Sequence, residues 1–169
     1  MNSRNSTLAD GYYTLAQRTL DRVMDICRQA GLETLRMNSV WVDEGDGAEL
    51  EGLTVAAGDG RAFSCRAARY DGADHRSNVG IVVSEKQVGL FGLARISVLF
   101  EPADGKWLFY AQIQPGCRSP ELIDLCNKLS IDLHVETSRE VGENEAFTMI
   151  LTIAQWTARI IIAERLKAQ

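Results

Sequence analysis

The chain has 169 residues and is 46% hydrophobic, 24% charged and 7% aromatic. That is the size of one globular domain, at roughly 100–200 residues each, with enough apolar material to fold without disulfides or metals. Three prolines and 14 glycines exclude collagen-like and proline-rich classes, and the balance of charged and apolar residues excludes disorder as the dominant state. With 18 Lys and Arg against 23 Asp and Glu, the net charge is −5. No basic run offsets it, which argues against a nucleic-acid partner held through its phosphates.

Residues 1–9 are polar, lack the apolar core of a secretory signal, and read as a flexible lead into a single domain spanning 1–169. Residues 10–30 place Leu15, Ala16, Leu20, Val23, Met24 and Cys27 at helical spacing. Asp10 suits the cap of that helix and Gly31 its left-handed stop. Residues 34–42, 48–57 and 61–70 then alternate in strand fashion. The acid- and glycine-rich stretches 43–47 and 58–60 separate them, which predicts a three-stranded antiparallel meander.

A polar loop over 71–78 leads to a short strand at 81–83. Residues 84–93 are ambiguous: Val88, Leu90, Phe91 and Leu93 fit a short helix that Gly89 and Gly92 weaken. Residues 95–101 and 106–113 flank Pro102-Ala103-Asp104-Gly105, the strongest hairpin signal in the chain. Ser119-Pro120-Glu121 opens a second helix that ends near Leu129. After it Ile131, Leu133 and Val135 alternate with Asp132, His134 and Glu136, the pattern of a half-buried strand.

The last helix is predicted over about 143–168. Thr148, Thr152, Gln155 and Arg159 make one narrow polar ridge, and nearly every other position is apolar. A surface helix normally carries a single apolar stripe, so this one needs cover on most of its circumference. A sheet supplies one side; the first helix or a second copy of the chain supplies the rest. A membrane span is the poorer reading, because a span needs about 20 mostly apolar residues and Arg159 sits inside the stretch. The expected fold is therefore α+β, an antiparallel sheet of about five to seven strands packed against N-terminal and long C-terminal helices.

Candidate chemistry is sparse. Asp132, His134 and Glu136 would share one face of a strand, about 6.5–7 Å apart, as a general base between carboxylates or half a metal site. Alternation alone also generates that face. Cys117 stands next to Arg118, just ahead of a helix start, where a positive dipole and a cation lower a thiol pKa. It would need His75 or His134 as its base. The loop Asp71, Asp74 and His75 reads as an ordinary solvated turn. The four cysteines show no paired spacing for zinc, no phosphate-binding glycine loop occurs, and no metal or cofactor is expected. Cys27, Cys65 and Cys126 read as small core residues.

Two features point to binding instead. Asp43, Glu44, Asp46 and Asp59 form acidic turns suited to a basic protein segment. Trp156, Ile160 and Ile161 are the candidate face for a homodimer. The expectation is a cytoplasmic, non-enzymatic protein-binding or regulatory module, working as a homodimer in the manner of adaptor, chaperone-like or immunity proteins. The competing readings are a small hydrolase that uses Cys117 or the Asp132, His134 and Glu136 face, and a small-ligand sensor.

Overall fold

The computed structural model describes residues 3–29, 38–39, 49–56, 61–71, 77–87, 90–113, 120–132 and 136–167. The protein is α+β, an antiparallel sheet with helices at its N- and C-terminal ends. Helix α1 (Ser3–Gln29) precedes strands β1 (Asn38–Ser39), β2 (Glu49–Ala56), β3 (Arg61–Asp71), β4 (Ser77–Gln87), β5 (Leu90–Glu101) and β6 (Lys106–Ile113). Helix α2 (Pro120–Lys128), strand β7 (Thr137–Val141) and helix α3 (Glu143–Lys167) follow. Each strand pairs antiparallel with the next, so the sheet is laid down in sequence order. That topology needs only hairpins and one helical excursion, α2, between neighbouring strands.

The first helix begins two turns earlier than Asp10, and residues 3–9 of the lead expected to be flexible are part of it. Asn5 donates its side-chain amide to the Pro102 carbonyl at 2.9 Å, and Ala9 is buried. These contacts with distant sequence hold the first turns, which no local cap signalled. Asp10 lies inside the helix, where its carbonyl accepts the Thr14 hydroxyl at 3.0 Å. Of the expected strand 34–42, Asn38 and Ser39 pair with Gly52 and Glu51; the rest lies outside the described residues, as do Gly31 and both acidic turns.

The ambiguous stretch 84–93 is strand wherever it is described. Residues 84–87 end β4 and residues 90–93 begin β5, with a register shift between Glu85 and Gln87. Pairing of residues 84–87 with β3 on one side and with β5 on the other overrides the weak helical period. The 102–105 hairpin forms as expected. Gly105 takes the left-handed conformation (φ 66°) and donates its N–H to the Glu101 carbonyl at 2.9 Å, a backbone geometry that a β-carbon resists.

None of the described residues of the strand expected after α2 is in a strand. Ile131 and Asp132 are irregular, 133–135 lie outside the described residues, and β7 starts at Thr137. Ile131 is taken by the end of α2: its N–H reaches the Cys126 carbonyl at 2.9 Å while Ser130 N–H reaches Asn127 at 3.2 Å. This is a Schellman closure in which Ser130, at φ 56°, fills the left-handed position usually given to glycine.

Register sorts the sheet into two faces. Ile96, Val98 and Phe100 stand opposite Ala111, Phe109 and Trp107, all buried, and Val141 of β7 is set against Trp107. Onto this face pack α1, through Tyr12 on Phe100 and Trp107, and α3, through Phe147 on Trp107. Both helices start at the hairpin end of the sheet. Helix α2 joins them when Trp156 donates its indole N–H to the Glu121 carbonyl at 2.9 Å. The core lies between this helical layer and the sheet.

Candidate interaction surface

The acidic-turn residues Asp43, Glu44, Asp46 and Asp59 lie outside the described residues, and so do Cys117, His75 and His134. Ile161 belongs to α3, but its side chain is not among those described. Trp156 and Ile160 are inside the chain's own core, 3% and 8% exposed. Helices α1 and α2 and the sheet supply the cover that α3 demands, so these two residues present no face to a second copy. Cys65 and Cys126 are buried and not in a disulfide, as small core residues should be.

Asp132 and Glu136 are both exposed and neither is on a strand. Glu136 does reach a second titratable group. Tyr110 donates its hydroxyl to Gln112 Oε1 at 3.0 Å on the sheet face away from the helices, where Gln112 is set opposite Arg95 and Tyr110 opposite Ser97. Burial pushes the Tyr110 phenol up, the Glu136 carboxylate adds to that by charge and hydrogen bonding, and Arg95 pulls it back. A phenol so held stays protonated at neutral pH. The sequence pattern gave no hint of this cluster, because its members come from three separate segments.

A second polar node fastens the helices. Tyr12 lies among Phe100, Trp107 and Phe147, with ring centroids 4.8, 4.9 and 5.9 Å away, and donates its hydroxyl to Glu143 Oε1 in the first turn of α3. Burial, then the hydrogen bond and charge of Glu143, push the phenol up to about 12, while the Trp107 indole acts in the opposite sense. Beside it Arg139 donates to Glu145 at 2.7 Å and lies over the Phe109 ring at 5.6 Å. The Arg139 guanidinium holds the Glu145 carboxyl below its ordinary value. Both pairs pin the start of α3, and Tyr12 pins α1 to it.

The outer side of α1 is different in character. Arg4, Leu8, Gly11, Leu15, Arg18 and Arg22 are all exposed and follow one another at intervals of 4, 3, 4, 3 and 4, which is the spacing of a heptad seam. Leu8 and Leu15 are 39% and 38% exposed, and Leu151 on α3 is 57% exposed. The sequence reading put Leu15 in the buried stripe; that stripe is instead Ala9, Ala16, Leu20, Val23 and Met24. A β-carbon at Gly11 would meet nothing within 4 Å. Inside a helix glycine costs about 1 kcal/mol relative to alanine, and nothing within the described chain requires it there. The heptad interval between Leu8 and Leu15 was the legible signal for this seam, hidden because Ala16 and Leu20 offer a second stripe one residue on.

Among the described residues no group of three or more His, Cys, Asp or Glu could hold a metal ion, and no helix is long and apolar enough to cross a membrane. No protein-family model, curated protein or solved structure matches the chain.

Proposed function

We propose that the chain is a non-enzymatic protein-binding module of the adaptor, chaperone-like or immunity-like kind. In this reading a sheet of five to seven strands is a rigid support, and the outer seam of α1 is the surface it presents. The observation that carries it is the exposed run Leu8, Gly11, Leu15 with its arginines, on a helix whose opposite face is fixed in the core. Exposed leucines at seam spacing beside arginine are the composition of a docking face, whereas a helix that only covers a sheet is free to be polar on its outer side. Trp156 and Ile160 of the expected homodimer face are buried within the chain, so in this reading the exposed leucines of α1 are the surface offered to a second copy as well. Cys65 and Cys126, buried and outside any disulfide, suit the reducing cytoplasm.

Site-specific photo-crosslinking in the native cells tests the reading. A photoreactive residue at position 15 is expected to give a discrete crosslinked species, of twice the chain mass for a second copy or another mass for a different protein. The same residue at position 112, on the helix-free sheet face, is expected to give none. Equal labelling at both positions, or no discrete species at position 15, would overturn it.

A further inference from the structure

Helix α1 is held very unevenly on the two sides of Gly11. From Tyr12 onward large side chains fix it to the rest of the molecule: Tyr12 on Phe100, Trp107 and Phe147, and Leu20, Val23 and Met24 in the core. Before Gly11 the one buried side chain among the described residues is Ala9, and Asn5 holds the Pro102 carbonyl at 2.9 Å. Arg4, Thr7, Leu8 and Asp10 are exposed. This first segment is also a poor helix by its own sequence. Ser3, Asn5, Thr7 and Asp10 rank low among helix formers, and the first turn has no acid, which the helix dipole would favour there. Residues 3–10 are fewer than the roughly 12–15 that an isolated helix needs.

Gly11 stands at the boundary. A β-carbon there would meet nothing within 4 Å, so space does not demand glycine; what glycine adds is backbone freedom once the helix opens. Anchored at Asn5, near its start, the segment does not come apart residue by residue. It releases when the Asn5 bond and the Ala9 contact are given up together, as a locally unfolding unit. We propose that residues 3–10 are a detachable arm that opens at Gly11 while residues 12–29 stay in place, and that this opening regulates the docking face of α1. Opening carries Leu8 away from Leu15 and frees the Pro102 carbonyl at the 102–105 hairpin. The regulation rests on the binding reading above; the opening does not.

Residue-resolved hydrogen exchange on the full chain tests the opening. Amides 7–10 are the ones to compare, because the first four N–H groups of a helix have no acceptor within it. They are expected to be protected at least about a hundredfold less than amides 20–24 and equally among themselves, within about threefold. Urea should change their exchange little and that of amides 20–24 steeply, in proportion to the surface each opening exposes. Asn5→Ala is expected to lower protection at 7–10 at least about threefold, and Gly11→Ala to raise it by a similar factor. Protection that climbs steadily from 7 to 10, as in plain end fraying, would overturn the arm. So would a urea response shared with amides 20–24, or protection unmoved by Gly11→Ala. Asn5→Ala with Ala9→Asp removes both contacts and is expected to hold the arm open with amides 20–24 still protected; loss of protection there would also overturn it. In that double variant the discrete crosslinked species from position 15 is expected to fall at least about threefold. An unchanged yield would remove the regulation. No discrete species at position 15 even in the parent chain would remove the binding reading and the regulation with it, while equal protection at 7–10 would leave the arm standing.

Discussion

Helices α1 and α3 are nearly equal in length, 27 and 25 residues, and share one layer, but they are covered in opposite ways. Helix α3 is wrapped on most sides over its middle: Ala146, Met149, Ile150, Ile153, Ala154, Trp156, Thr157, Ala158 and Ile160 are buried, and between Ala146 and Ile160 the exposed residues are the ridge Thr148, Leu151, Gln155 and Arg159. Helix α1 buries one stripe and leaves a leucine and arginine seam outside. The difference teaches that a continuously apolar helix need not imply a partner. A helix with ordinary amphipathicity can still present apolar residues that its own chain does not use.

The comparison breaks most sharply in the core of α3. Trp156→Ala is expected to destabilise by about 3–5 kcal/mol, since it opens a cavity between α2 and α3 and removes the indole hydrogen bond to the Glu121 carbonyl. Leu151→Ala, on the same helix, should stay within about 0.5 kcal/mol. Urea unfolding of both variants measures the gap, and equal losses would mean that α3 is not covered as described. On α1 the matching variant is Leu20→Ala, expected to cost about 2–5 kcal/mol by the same measurement. A loss as small as that of Leu151→Ala would remove the buried stripe of α1.

Smaller effects sharpen how the two helices are fastened. Gly105→Ala forces a β-carbon onto a residue at φ 66° and to within 3.3 Å of the Asn5 amide. It should cost about 1–2 kcal/mol and increase hydrogen exchange in the first turns of α1 more than in α3. Tyr12→Phe keeps the aromatic contacts and loses the bond to Glu143, at about 1 kcal/mol. Because folding raises the Tyr12 pKa from 10.0 to about 12, its contribution is complete below pH 10 and is lost as the pH rises toward 12. The stability gap between wild type and Tyr12→Phe should therefore be flat below pH 10 and close above it; a gap that widens in alkali would contradict the assigned hydrogen bond. Smallest of all, Ser130→Gly relieves the left-handed strain at the end of α2. A gain of about 0.5 kcal/mol is expected in thermal unfolding, and a loss would mean that the Ser130 side chain is needed there.

Much of the fold was legible because its signals are local. The α+β class, the 102–105 hairpin, the start of α2 at Pro120 and the extent of α3 follow from turn chemistry and periodicity that neighbouring residues settle among themselves. The strand expected from Ile131 shows the limit of such signals, since Ile131 and Asp132 are irregular. Its alternation was real, but Ile131 was needed to close α2, and β7 formed where Val141 could stand opposite Trp107. The early start of α1 escaped for a similar reason, since Asn5 is held by a carbonyl 97 residues away. Of the candidate site, Glu136 was named for the wrong neighbours: its partner is Tyr110, 26 positions back. Trp156 and Ile160 were rightly seen to need cover and are covered from within.

By itself the sequence determined which segments are helix or hairpin and that the last helix must be buried on most sides, because periodicity and turn residues act over a few positions and hydrophobic burial demands only that cover exist. Tertiary structure alone decided who supplies that cover. Once α1, α2 and the sheet closed around α3, most of the described apolar surface of that helix was used up, and the large apolar residues left exposed were Leu151 on it, Ile123 on α2, and Leu8 and Leu15 on the outer side of the first helix.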